Sequence, residues 1–299
     1  MMKFFLRIVT LIVVILVVPA CADRRSTVER LEDALLSYSQ GQHQRAKIEL
    51  KNVLQSNPEN ADARLLLGRI YLDSGDPDSA VKELEFAQKF GMSRESVLPP
   101  LSRALSDIGD FDRLQAIDTT GLTVAAQADV LAAKAMSLLV RGEDAKARIY
   151  LDTALEVAPD SVYPQIVYAQ YYLQGDSRDN ALARQSLEAA LSLDPESSPA
   201  WSMLGGIELN DGELEKAEQA FLKAIENSVD NVKDLLQLVI VKIEQKHFDE
   251  AERLIRELSA IVPQHPGLPY AQGLMALRQF DLLRAQEFFA EAANGEQVY

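Results

Sequence analysis

The sequence predicts an all-α solenoid of about eight helix–turn–helix repeats. Two observations predict it: a 34-residue period runs over residues 27–299, and apolar residues within each period recur at the i, i+3, i+4 and i+7 spacing of an amphipathic helix. The chain has 14 Gly and 12 Pro among 299 residues, which disfavours both disorder and a β fold with many turns. One such unit cannot bury its apolar face alone, so neighbouring units are expected to stack.

Residues 1–20 are predicted to be a signal peptide rather than part of the fold. Lys3 and Arg7 give a basic start, and residues 8–18 are apolar apart from Thr10. A helix that crosses a bilayer needs about 20 residues, so this run is too short to span one and suits the apolar core of a secretory signal.

The signal ends in Val18-Pro19-Ala20-Cys21, and Cys21 is the single cysteine of the chain. This segment resembles the bacterial lipoprotein box, although Pro19 departs from its usual residues. The resemblance implies that Cys21 is lipidated and becomes the first residue of the mature protein, with residues 21–26 as a lipidated tether. Ala22 after the cysteine implies sorting to the outer membrane of a Gram-negative bacterium, facing the periplasm. An ordinary signal peptide with a chance cysteine is the alternative.

The repeats are defined by columns of small and apolar residues. The predicted units are 27–60, 61–94, 95–127, 128–161, 162–197, 198–231, 232–265 and 266–299. One column is Ala in seven of the eight units: Ala46, Ala80, Leu114, Ala147, Ala183, Ala217, Ala251 and Ala285. Four residues later comes a large apolar column: Leu50, Leu84, Leu151, Leu187, Phe221, Ile255 and Phe289. Near the front of the units lies a small column, where two helices are expected to approach closely: Ala34, Gly68, Ala135, Ala169, Gly205 and Gly273.

The third unit, 95–127, is degenerate. Its second helix would run into Asp118-Thr119-Thr120-Gly121, which has the composition of a turn. We therefore expect a short helix followed by an irregular loop. The consequence is either a bend in the solenoid or only a weak repeat.

These columns resemble the tetratricopeptide repeat. The residues that carry the resemblance are Trp201-x-x-Leu204-Gly205 and Leu67-Gly68-x-x-Tyr71, followed in the units by Ala and by a terminal Pro such as Pro58 or Pro195. The resemblance implies a right-handed superhelix that binds other proteins on its concave face. It also implies that Trp201 packs within the fold.

A closer resemblance is carried by residues 46–55 and 60–72. They are similar to the repeat lipoprotein of exosortase/PEP-CTERM exopolysaccharide systems, whose arrays are usually longer. This implies a non-enzymatic, membrane-anchored scaffold for the export or assembly of exopolysaccharide and surface proteins. Two alternatives stay open: a lipoprotein for pilus or outer-membrane protein assembly, and the N-terminal part of a larger protein whose catalytic domain lies beyond Tyr299.

Composition and motifs point away from catalysis. The formal charge is −15 and the isoelectric point about 4.7, whereas nucleic acid favours basic surfaces. The sequence contains no Gly-rich phosphate loop, nucleophile elbow, metalloprotease helix or paired-cysteine motif. His43, His247 and His265 fall at or near predicted turns and are expected to be surface residues. We therefore predict no enzyme activity, no cofactor and no metal site.

The concave face is the predicted binding surface, formed by the first helix of each unit. Tyr38, Tyr163, Ile240 and Tyr270 are the candidate residues for contact with partner proteins. An apolar groove suits an extended segment or an amphipathic helix of a partner. Packing between repeats is an equally good explanation of some groove positions, and the sequence leaves direct polysaccharide contact open. The other predicted groove positions are Val28, Leu31, Leu35, Leu65, Arg69, Leu72, Met136, Leu139, Ile166, Leu173, Leu236, Ile243, Leu274 and Leu277.

Overall fold

The computed structural model describes residues 25–174, 178–228 and 231–295. The predicted signal peptide and Cys21 lie outside these residues. Every regular element within them is a helix, with no strand. The helices are α1 Thr27–Ser39, α2 His43–Ser56, α3 Ala61–Asp73, α4 Pro77–Lys89, α5 Arg94–Asp107, α6 Phe111–Gln115, α7 Val124–Val140, α8 Asp144–Val157, α9 Val162–Leu173, α10 Asn180–Leu193, α11 Ser198–Asn210, α12 Leu214–Glu226, α13 Val232–Glu244, α14 Phe248–Ile261, α15 Gly267–Arg278 and α16 Leu282–Gly295.

Consecutive helices pack as pairs, from α1 with α2 to α15 with α16, and each pair packs against the next. The predicted all-α solenoid of helix–turn–helix units is therefore confirmed. Each odd-numbered helix is the first helix of its unit and each even-numbered helix is the second.

The first unit begins immediately after the predicted tether. The Ser26 hydroxyl accepts a hydrogen bond from the Glu29 backbone N–H at 3.2 Å, and the Glu29 carboxylate accepts one from the Ser26 N–H at 2.6 Å. This capping box satisfies two backbone donors that α1 would otherwise leave exposed. Arg25 pairs with Glu49 of α2 at 2.7 Å. The last two residues of the predicted tether thus contact the first repeat.

The two helices of a unit approach closely because a small residue on the first faces a large one on the second. A Cβ atom on Gly68 would lie 2.7 Å from Leu84 Cγ, and one on Gly205 would lie 2.8 Å from Phe221 Cε1. One on Gly273 would lie 2.7 Å from Phe289 Cδ1. No ordinary Cβ contact is this short. The small column thus occupies the helix–helix contact, as the sequence predicts.

The third unit confirms the expected short helix and irregular loop. Its second helix, α6, has five residues, and the chain then runs without regular structure to α7. Lys134 of α7 donates hydrogen bonds to the carbonyls of Gln115 at 3.2 Å and Ile117 at 2.8 Å. A buried lysine therefore satisfies carbonyl groups at the end of α6 that a longer helix would have paired internally.

Adjacent glycines in α11 offer a matched test of the close approach. Gly205→Ala should lower the free energy of unfolding by about 1–3 kcal/mol, because the new methyl group overpacks against Phe221. Gly206→Ala should raise it by about 0.5–1 kcal/mol, because Gly206 has no atom near the Cβ position and Ala favours helix. Urea unfolding followed by circular dichroism measures both. Equal effects at the two positions would contradict the assigned contact.

Candidate functional site

The first helices form the tighter layer of the array. Successive first helices pack directly against each other from α1 to α9 and again from α11 to α15. Across the described ranges, second helices pack mainly on the first helices beside them rather than on the next second helix. The array therefore curves with its first helices on the inside, and we call the surface they line the inner face.

Side chains of the third to fifth units meet one another on the inner face. The Arg103 guanidinium lies 4.7 Å from the centroid of the Tyr163 ring, although α7 separates their helices, α5 and α9, in the stack. Asp129 of α7 accepts a hydrogen bond from the Ser161 hydroxyl at 3.2 Å beside them. Three successive units therefore contribute side chains to one polar group, which we call the Arg103 cluster: Arg103, Asp107, Asp129, Ser161 and Tyr163.

The surrounding helices restrict the hydration of the Arg103 cluster, and this raises the pKa of three of its groups. Restricted hydration raises the pKa of Asp107 and of Asp129, and the charge of Arg103 partly opposes both shifts. Burial raises the pKa of Tyr163 to about 12, so its phenol stays protonated at neutral pH. The cluster combines a cation, two carboxylates and a phenol, which together can donate to and accept from a peptide backbone.

Tyr38 lies on α1, at the first end of the inner face, and is half-buried. Its hydroxyl donates a hydrogen bond to Asp73 of α3 at 2.9 Å, and its ring meets His43 edge-on with centroids 4.9 Å apart. His43 is only 8% exposed, so the expectation of a surface histidine is wrong at this position. Tyr38 covers it, and burial lowers the pKa of His43.

The remaining candidates differ in exposure. Tyr270 is 49% exposed and packs on Phe289 with ring centroids 5.8 Å apart, whereas Ile240 is half-buried. The four predicted contact residues lie on α1, α9, α13 and α15, so they share a face without forming one cluster. Among the other predicted groove positions, Val28, Leu35 and Leu277 are exposed.

Four predicted groove positions belong to the core instead. Leu139, Ile166, Leu236 and Ile243 are each at most 9% exposed. They fill the contacts between neighbouring repeats, the alternative that the sequence left open for such positions.

Trp201 packs within the molecule but is only half-buried. Its indole N–H donates to the Pro195 carbonyl at 2.8 Å, which ties α11 to the turn before it. This hydrogen bond stabilises the local fold of the sixth unit.

The described residues contain no group of three or more His, Cys, Asp or Glu side chains placed to hold a metal ion. In the same part of the chain, no helix combines the length and the apolar character needed to cross a bilayer.

Comparison with known proteins supports the repeat assignment. Residues 37–88 and residues 168–231 match tetratricopeptide repeat families, so the chain carries tetratricopeptide repeats in both segments. Neither match is to a catalytic family, and no curated protein matches the chain. The crystal structure of yeast Tom70 aligns with 92% of this chain and 70% of its own, at 16% identity and a TM-score of 0.46. Tetratricopeptide repeats are protein–protein interaction scaffolds.

Two tyrosines on the inner face should differ in their contribution to stability. Tyr163→Ala should lower the free energy of unfolding by about 1–3 kcal/mol, because the half-buried ring packs against the cores on both sides of it. Tyr270→Ala should cost less than about 1 kcal/mol, because half of its side chain is already in solvent. Urea titration of both variants measures the difference, and a larger loss for Tyr270 would contradict these placements.

Proposed function

We propose that the chain is a non-enzymatic adaptor that binds partner proteins on its inner face while a lipid at Cys21 anchors it to the periplasmic side of an outer membrane. The observation that carries the binding proposal is the curved layer of first helices, with apolar side chains exposed along it. The tetratricopeptide repeats of residues 37–88 and 168–231 support the same role.

The inner face offers two kinds of contact. Val28 and Leu35 are 65% and 50% exposed at one end, and Tyr270 and Leu277 are 49% and 37% exposed at the other. The Arg103 cluster lies between these ends. An elongated partner segment can therefore bury apolar anchors at both ends and pair its polar groups in the middle.

The short spacing between Cys21 and the first repeat supports the anchor. α1 begins at Thr27, six residues after Cys21. At about 3.5 Å per extended residue, a lipidated Cys21 would hold the first repeat within about 20 Å of the membrane surface. Because lipoproteins carry two or more acyl chains, such attachment is stable.

The partners that we propose are components that export or assemble exopolysaccharide and PEP-CTERM surface proteins. This finer assignment depends on the similarity of residues 46–55 and 60–72 to the lipoproteins of those systems. Affinity capture of the lipidated protein from native membranes tests it, and enrichment of pilus or outer-membrane protein assembly factors in place of export components would contradict it.

Charge introduced on the inner face should abolish partner capture. Leu35→Glu and Tyr270→Glu alter exposed inner-face positions, and Ile149→Glu makes a comparable change at a 65% exposed position on the second helix α8. All three should fold with stability within about 0.5 kcal/mol of the parent, because the sites are exposed. Crosslinking and capture should lose the partners at least tenfold in the two inner-face variants and keep them in Ile149→Glu. Retention in all three would exclude the inner face as the binding surface.

Cys21→Ser should abolish membrane attachment. Without a thiol to acylate, the chain should accumulate as uncleaved precursor or as soluble periplasmic protein. Membrane fractionation and mass spectrometry of the intact protein measure the outcome. Unchanged fractionation of the variant, together with no acyl mass on the parent, would contradict the anchor while leaving the binding proposal intact.

A further inference from the structure

A cleft of about 550 Å³ lies away from the inner face, between α8, α9 and α10. Its volume is within the range of about 300–1,000 Å³ that is usual for ligand sites. We call it the tyrosine cleft. The residues that line it include Asp152, Glu156, Gln165, Tyr168, Tyr172 and Ser186.

In the first two repeats, an arginine of the chain itself occupies the position that Gln165 has in the fifth repeat. Arg64 of α3 pairs with Glu83 of α4, and its guanidinium lies 4.8 Å from the centroid of the Phe86 ring. In the first repeat, Arg30 of α1 pairs with Glu49 of α2 at 3.0 Å. This part of the repeat therefore accommodates a guanidinium between a carboxylate and, in the second unit, an aromatic face.

The fifth repeat has no arginine at that register. Gln165 stands at the register of Arg64, Ser186 at that of Glu83 and Ala189 at that of Phe86. Each replacement is smaller than the residue of the second repeat, so volume that the chain fills there remains open here. The cleft is the result of these substitutions.

In the fifth repeat, residues at other positions place carboxylates and aromatic rings around the tyrosine cleft, where the second repeat has Glu83 and Phe86. Asp152 and Glu156 lie one helical turn apart on α8, and both are exposed. The Tyr168 and Tyr172 rings stack with centroids 5.4 Å apart and planes inclined at 27°. The Tyr168 hydroxyl donates to Asp152, which fixes that carboxylate beside the rings.

The charge of the cleft favours a cation. The residues that line it include two carboxylates, Asp152 and Glu156, and no Lys, Arg or His. Arg148 of α8 pairs with Asp152 at 3.7 Å from outside the lining, so Glu156 supplies the second, additional carboxylate. The corresponding cleft between α14, α15 and α16 is lined instead by Arg256, Arg284 and Glu252, so its charge opposes the same ligand. The two clefts therefore differ in the sign of the charge that lines them.

We propose that the tyrosine cleft binds an arginine side chain presented by a basic segment of a partner protein. The bound guanidinium takes the place that Arg64 occupies in the second repeat, pairs with Asp152 and Glu156, and contacts the tyrosine rings. This site lies on the second-helix side and does not depend on partner binding at the inner face.

Calorimetric titration of the full chain with a tetra-arginine peptide tests the proposal. Tetra-citrulline, which has nearly the same shape without the charge, is the control ligand. We expect tetra-arginine to bind and tetra-citrulline to bind at least tenfold more weakly. Maltohexaose, a neutral oligosaccharide, is titrated as a second control. Equal binding of the two peptides, or tighter binding of maltohexaose than of tetra-arginine, would assign the cleft to neutral polar ligands and overturn the proposal.

Three variants with the same change in net charge locate the binding. Gln165→Arg restores an internal arginine and should reduce tetra-arginine affinity at least tenfold by self-occupation. Glu156→Gln removes one wall carboxylate at an exposed position and should weaken binding by a similar factor. Glu188→Gln makes the same charge change on α10 outside the lining and should leave affinity unchanged. Equal affinity of all three variants would show diffuse attraction to a chain of charge −15 and overturn the proposal.

Discussion

The structure depends on the close approach of two helices within each repeat. Glycine on a first helix receives Leu84, Phe221 or Phe289 of the second helix where even a methyl group would collide. This contact fixes the pair, and only a fixed pair presents the apolar surface against which the next pair stacks. Curvature goes with the same arrangement, because in the described part of the chain successive first helices contact each other more than successive second helices do.

Because every repeat is built on the same helix pair, the repeats differ mainly in the side chains that stand at one register. Arg64 fills its own unit in the second repeat, whereas Gln165 leaves a cleft in the fifth. In the third repeat the second helix, α6, has only five residues, and Lys134 donates hydrogen bonds to carbonyl groups that a longer helix would have paired. The scaffold is thus repetitive, while its surfaces are individual to each unit.

The sequence was sufficient to predict the structural features that depend on contacts within a single repeat. The Ala and Gly columns gave the helix pairs, and Asp118-Thr119-Thr120-Gly121 gave the short helix and the loop. Contacts that depend on curvature were not predictable: Arg103 meets Tyr163 across an intervening helix, sixty positions along the chain. The burial of His43 under Tyr38 was missed for a related reason, because a residue near a turn is buried only when a neighbouring side chain folds over it. The tyrosine cleft could have been found by aligning Gln165 and Ser186 with Arg64 and Glu83.

The most direct test of the curved, nearest-neighbour array is a crosslinking comparison in a chain with Cys21→Ser. One pair of cysteines replaces Arg103 and Tyr163 on the first helices α5 and α9, and the other replaces Lys82 and Lys146 on the second helices α4 and α8. With the first helices on the inside, a short thiol crosslinker should join the first pair and not the second. Crosslinking of the Lys82 and Lys146 positions without crosslinking of the other pair would show the opposite curvature and contradict the account.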